Sequence, residues 1–136
     1  MIPKFRAWDK ELQTMLDVSL IDFKKGVLVG EHWEFGETNF LSFDEIVLMQ
    51  STGIRDITNQ EIFEGDVVKT TRFVGRADEV GGFYEYDKEF IGIVKQLEGS
   101  WVIDTGSDAV CLWTEIEENE IIGNIYENPE LLEEKE

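Results

Sequence analysis

"EIFEGDVVKT", Glu61 to Thr70, is the stretch on which the reading of this chain turns. Ile62 and Phe63 are apolar, Glu64-Gly65-Asp66 makes an acidic corner, and Val67-Val68 restarts a β-branched run. Glycine takes positive φ without steric cost, and an aspartate side chain bonds readily to nearby main chain. The segment therefore predicts a tight turn that launches a strand. The competing reading is a carboxylate pair gripping a divalent cation, because hard cations want several oxygen ligands. Glu64 and Asp66 lack the spaced Asp/Asn ladder and distal Glu of a calcium loop. Glu64, Gly65 and Asp66 are assigned as a structural turn, and neither a metal nor another cofactor is expected.

Working outward from the corner, short apolar runs separated by Gly, Asn and Asp predict many short strands. Upstream, "KFRAW" and "MLDVSLIDF" form an expected hairpin across "DKELQT", with Phe5 and Ala7 on one face and Arg6 and Trp8 on the other. "KKGVLVG" holds another strand and "EIVLMQ" (Glu45 to Gln50) a buried one, followed by a polar connection, "STGIRDITNQE". "HWEFGETNFLSF" has no clean period. Downstream, "RFVGRADEVGGFYEYDKE" reads as a long, mobile excursion between strands or as a hairpin with a loose tip. "FIGIVKQ", the turn "LEGS" and "WVIDT" make a hairpin, and "AVCLW" a further strand. Asn128, Pro129 and Glu130 have the pattern that opens a helical turn, running to Leu132. No internal repeat is visible. The expected class is all-β: a β-rich N-terminal lobe over residues 1–60, a small SH3-like barrel over 61–132 with a short helical turn at its end, and an acidic tail over 133–136. Glycine bends let strands of such barrels serve two sheets.

With 136 residues, 42% of them hydrophobic, the chain has enough apolar material for a core and is not expected to be disordered. It carries 30 acidic residues against 12 basic, a net charge of −18. That field repels nucleic-acid phosphates and anionic membranes and favours encounter with basic proteins, besides maintaining solubility. Basic side chains at Lys24-Lys25, Lys69, Arg72 and Arg76 sit among carboxylates, so a nucleic-acid partner is not expected. A single cysteine, Cys111, excludes an internal disulfide framework, and its apolar surroundings predict packing as a small hydrophobe. No apolar run approaches the roughly 18 residues of a membrane span, and "MIPKFRAWDK" is not expected to be a signal segment.

His32 is the only histidine; its neighbours suggest a rim position and a structural role. Pairing of Cys111 with His32 for nucleophilic chemistry has no local support. No Walker or dinucleotide glycine pattern is present. Phe83, Tyr84 and Tyr86, set among acids in the excursion, are the candidate protein-binding residues, because aromatics carried on loops often make contacts. The tryptophans are expected to fill the core or a subunit interface. Exposed strand edges also predict a homo-oligomer.

"MIPKFRAWDK" at the start, "VLMQSTGIRD" followed by "QEIFEGDVVK" in the middle and "IIGNIYENPELL" at the end resemble, in order and spacing, the YopX family of temperate-phage and prophage proteins. The resemblance implies a β-rich protein with an SH3-like barrel, cytoplasmic in a bacterial host. It brings no catalytic residues to transfer. The acidic stretch from Val29 to Ser42 and the excursion from Phe73 to Phe90 lie outside the matching blocks. The expected function is a non-catalytic accessory protein that binds a host or phage protein, basic in character, through an acidic, aromatic surface. Alternatives are a self-assembling structural protein, a carboxylate-dependent enzyme or a nucleic-acid binder.

Overall fold

The computed structural model describes residues 4–77, 83–112 and 117–133, with the side chains of 73–77, 83–87, 117, 132 and 133 left out of the account. Eleven strands are described: β1 (Phe5–Asp9), β2 (Thr14–Asp22), β3 (Val27–His32), β4 (Thr38–Ser42), β5 (Ile46–Arg55), β6 (Glu61–Phe63), β7 (Asp66–Ala77), β8 (Phe83–Leu97), β9 (Ser100–Asp104), β10 (Ala109–Cys111) and β11 (Glu117–Asn124). One 3-10 turn spans Phe43–Glu45 and one helical turn, α1, spans Glu130–Glu133. The described residues are all-β apart from these two turns. No helix among the described residues is long and apolar enough to cross a membrane.

The strands form two antiparallel sheets, ordered β4-β3-β2-β1-β5-β6 and β10-β9-β8-β7-β11. Each is a four-strand meander whose next strand returns beside the first. The connectivity thus repeats although the sequence does not. The pairings define sheets; they do not by themselves close the second into the expected SH3-like barrel. The sheet boundary falls at Gly65, between β6 and β7.

The expected N-terminal hairpin is present, with Trp8 opposite Met15 and Asp9 opposite Thr14. Its turn is held by Asp9 Oδ1, which accepts from the N–H groups of Glu11 and Leu12 at 3.0 Å each. Alternation splits the first sheet's apolar residues between its two faces. Ala7, Leu16, Leu28 and Ile46 cluster on one, with Phe43 and Leu48 beside them. Trp8, Met15 and Met49 cluster on the other under Tyr126, whose ring stacks on Trp8 at 5.5 Å. The second sheet's core is Val68, Val94, Ile103 and Leu112, and Ile62 and Ile54 from the first sheet complete it.

Several expectations change. The connection after "EIVLMQ" is not a loop: β5 continues to Arg55, with an irregular register against β6 between Ser51 and Arg55. Side-chain hydroxyls replace ladder bonds there. Thr52 Oγ1 donates to Ile62 O at 2.8 Å and accepts from Ile54 N–H, and Ser51 donates to Glu61. Of the two readings of the excursion, the hairpin is the one present: β7 and β8 pair continuously from Val67↔Ile93 to Ala77↔Phe83, and residues 78–82 between them lie outside the described residues. Asn128 O accepts from Leu131 N–H at 3.1 Å at the start of α1, and its Oδ1 accepts from Asn124 N–H at 3.3 Å.

Two glycines occupy positions that a side chain would disturb. Gly65 has φ +89°, and a Cβ there would sit 3.1 Å from Met49 Sδ. Gly92 lies beside the start of the β8–β9 pairing, and a Cβ there would overlap the backbone carbonyl of Asp104. Gly65→Val is expected to destabilise by about 1–3 kcal/mol, the cost of forcing a side chain into that conformation. Gly92→Ala is expected to cost at least as much, because a backbone carbonyl cannot step aside. Urea unfolding of both variants checks this, and an unchanged midpoint for either refutes the reading at that position.

Candidate functional site

The acidic corner is the joint between the sheets. Gly65 N–H donates to Val94 O at 2.9 Å, and Ile125 N–H donates to Gly65 O at 3.0 Å. Glu64 N–H donates to Gln50 O at 2.9 Å. Asp66 is 2% exposed. Its Oδ2 accepts from Phe63 N–H at 2.8 Å, and its Oδ1 accepts from Arg6 on β1 at 2.8 Å. The Arg6 guanidinium, equally buried, also reaches Glu64 O at 3.3 Å and lies over the Phe63 ring. Burial raises the Asp66 pKa above the ordinary carboxylate value, against the opposing pull of Arg6 and the Phe63 N–H. Both Asp66 carboxylate oxygens are committed to protein donors. Among the described residues no group of three or more His, Cys, Asp or Glu could hold a metal ion.

A second aspartate staples the sheets from the opposite direction. Asp56, in the β5–β6 loop, accepts from Thr58 N–H at 2.9 Å, Thr58 Oγ1 at 2.7 Å and Gln60 N–H at 3.0 Å through Oδ1. Its Oδ2 reaches across to Ile121 N–H at 3.1 Å. The register of β11 against β7 shifts between Ile121 and Gly123, and the Asp56 carboxylate supplies an acceptor for Ile121 N–H at this irregularity. The sequence predicts only a turn-forming connection here. The Asp-x-Thr pattern at Asp56 and Thr58 is the available signal, since Asp side chains commonly bond main chain two residues on.

His32 is 2% exposed, not on a rim. Its Nε2 is 3.0 Å from Asp9 Oδ2 and its Nδ1 is 2.9 Å from Asn39 Nδ2. With the Asn39 amide donating, Nδ1 accepts and Nε2–H donates to Asp9. Both ring nitrogens are thereby occupied, and the network ties β1, β3 and β4 together. Burial opposes the Asp9 charge, and hydrogen bonds from Leu12, His32 and Glu11 outweigh it, so the Asp9 pKa is lowered. Cys111 is exposed on β10 rather than packed, because it lies on the outer strand of its sheet.

Phe83, Tyr84 and Tyr86 lie on β8, not on a loop, opposite Ala77, Arg76 and Val74. Their side chains lie outside the described residues. A different aromatic, acidic surface is in view. From Glu31 to Glu45 the chain carries Glu31, Glu34, Glu37, Asp44 and Glu45 and no Lys or Arg, and all five carboxylates are exposed. Trp33, Phe35 and Phe40 in the same stretch are 49%, 50% and 69% exposed. Trp33 is positioned rather than loose: its Nε1–H donates to Asp17 Oδ1 at 2.8 Å. Phe35 stands edge-on to the His32 ring. The sequence marked this stretch as acidic and aperiodic, but did not show that its aromatics face solvent.

The family model described as YopX protein matches residues 4–133. Among solved structures, the chain is similar to protein EF1440 from Enterococcus faecalis, with 27% identity and a TM-score of 0.60 over 97% of this chain and 99% of that one. It is also similar in fold to protein yopX from Bacillus subtilis, with 21% identity and a TM-score of 0.57 over 95% and 97% of the two chains. A search of curated proteins gives no match.

The hydrogen-bonded state of Asp56 sets a pH dependence. Burial disfavours its charge, but the donors from Thr58, Ile121 and Gln60 prevail and lower its pKa from 3.8. A carboxylate with a lowered folded-state pKa contributes stability that is full above the unfolded value and lost as pH falls through the folded one. Asp56→Asn is therefore expected to cost about 1–2 kcal/mol near neutral pH. The difference from wild type should shrink as pH falls below 3.8, where the unfolded chain's carboxylate takes up its proton, and vanish as pH falls through the lower folded-state value. Urea titrations from pH 7 downward measure it; a difference that stays constant would contradict the assignment.

Proposed function

The chain belongs to the YopX protein family, and on that premise we propose that it is a non-catalytic accessory protein of a phage or prophage, acting as a protein-interaction module. The observation that supports this most directly is the run from Glu31 to Glu45, where solvent-facing Trp33, Phe35 and Phe40 stand among five exposed carboxylates without a basic residue. Aromatic side chains supply contact area at low conformational cost, and clustered carboxylates select and steer a basic partner. The buried acidic groups at the sheet junction and around His32 are consumed by internal hydrogen bonds. The chemistry left to solvent is that of recognition.

The partner is a basic protein of the host or the phage. Affinity capture from host lysate, with nuclease added and washes at rising salt, tests this with the wild type and with E31Q/E34Q/E37Q side by side. The expected result is a basic protein held by the wild type at low salt, released at high salt, and at least tenfold depleted on the triple variant. Equal retention on both would remove the acidic stretch from the interaction, and no retention on either would remove the reading itself.

A further inference from the structure

The outer edge of β4 is left open in a way the other edges are not. β4 begins the first sheet's strand order, and no described residue pairs with its outer side. β6 and β10 also lie at sheet edges but have only three residues each. β11 carries Glu117, Glu118 and Glu120 and a register shift. Short length, charge and bulges are the usual protections of an edge strand. β4, Thr38-Asn39-Phe40-Leu41-Ser42, has five residues with neither charge nor proline.

The direction of its backbone groups follows from the bonds that bracket it. His32 N–H donates to Glu37 O at 3.0 Å at one end, and Phe43 N–H donates to Gly26 O at 2.8 Å at the other. Hydrogen-bonded and non-bonded pairs alternate along an antiparallel ladder. The pairs Gly30↔Asn39 and Leu28↔Leu41 therefore exchange bonds, and the N–H and C=O groups of Thr38, Phe40 and Ser42 point away from β3. Register also places Leu20, Val29 and Phe40 side by side on one face, with Leu20 and Phe40 more than half exposed. The adjacent row on that face is Asp17, Glu31 and Thr38.

We propose that β4 receives an extended, basic segment of the partner protein as an added strand. This rests on the interaction-module reading above and specifies how that surface is used. Backbone groups of Thr38, Phe40 and Ser42 supply the pairing, and alternate apolar residues of the incoming strand extend the Leu20–Val29–Phe40 row. Lysine or arginine at the neighbouring same-face positions reaches over the small Thr38 side chain toward Glu31. Charge chooses the occupant. A second copy would set Glu31, Glu34, Glu37, Asp44 and Glu45 against their equivalents, between molecules that each carry −18, so self-pairing at this edge is opposed.

Ser42→Pro gives a specific probe. Ser42 has φ −88°, which a small rotation at the strand end brings to the value proline imposes, and its N–H points outward, so the substitution removes an outward donor without taking one from the β3 ladder. Phe40→Ser is the companion variant, which removes the apolar anchor and keeps the backbone. A displayed library of random ten-residue peptides is selected on the intact protein. Enriched peptides are then synthesised with and without N-methylation at alternate amides, and their affinities measured against wild type, Ser42→Pro and Phe40→Ser. The expected result is peptides rich in Lys and Arg with apolar residues at every second position. Their affinity should fall at least tenfold on N-methylation and on each variant, with the thermal midpoint of Phe40→Ser near that of wild type. Basic peptides that bind all forms equally would overturn strand addition while leaving the acidic-surface reading in place. No enrichment, or a wild-type dimer that Ser42→Pro converts to monomer, would overturn the proposal; an empty affinity capture as well would take the broader reading with it.

Discussion

The ion pair between Arg6 and Asp66 is the constraint on which the arrangement of the two sheets depends. It joins the first strand of one sheet to the first residue of the other's first strand, 60 positions apart in sequence. Burial makes the pair demanding. The carboxylate is disfavoured by desolvation, and its charge is sustained by Arg6 and the Phe63 N–H. Such a pair contributes little net stability compared with a well-packed apolar substitute, but leaving one partner alone in the interior is costly. Its value lies in placement: the Arg6 guanidinium meets both the Asp66 carboxylate and the Glu64 carbonyl, which ties β1 to the Gly65 turn. Asp56 adds a second bond across the same junction by reaching Ile121 on β11. The stacked Trp8 and Tyr126 rings cover the other side.

Much of the fold was legible because the governing signals are local. The N-terminal hairpin follows from alternation in "KFRAW" and "MLDVSLIDF" with an aspartate-held turn between them. "LEGS" forms its turn with Glu98 and Gly99 both at positive φ, the backbone a tight hairpin requires. The Glu64-Gly65-Asp66 corner was readable as a turn from residue types alone. What was not legible depends on contacts made far away. Ser51, Thr52 and Gly53 have turn chemistry, yet β5 runs through them because their hydroxyls bond to β6. His32 has polar neighbours in sequence, yet it is buried by partners 23 residues before it and 7 after it. Cys111 sits in an apolar run, but an outer strand leaves it in solvent.

The candidate surface was legible only by half. Its acidity and lack of period are visible in the sequence. Its exposure is a consequence of topology: a meander that ends at β4 leaves that strand outermost, and the chain must cross back to place β5 beside β1. The second sheet uses the same plan, but its outermost meander strand, β10, is three residues long. One topology thus yields one short edge and one longer, uncharged edge, and the acidic side chains gather around the latter. The internal carboxylates, Asp9, Asp56 and Asp66, are spent on hydrogen bonds within the fold, while those from Glu31 to Glu45 face solvent.

The measurement that tests this account most directly is a double-mutant cycle on the junction: Arg6→Met, Asp66→Asn and the pair together, each unfolded in urea at neutral pH. If the buried pair organises the junction, Arg6→Met alone should cost about 3–5 kcal/mol, and the double variant should recover part of that loss, with a coupling of about 1 kcal/mol or more. If the two single losses are each below about 1 kcal/mol and simply add, the sheets are held by packing alone and the central role assigned to Arg6 and Asp66 is wrong.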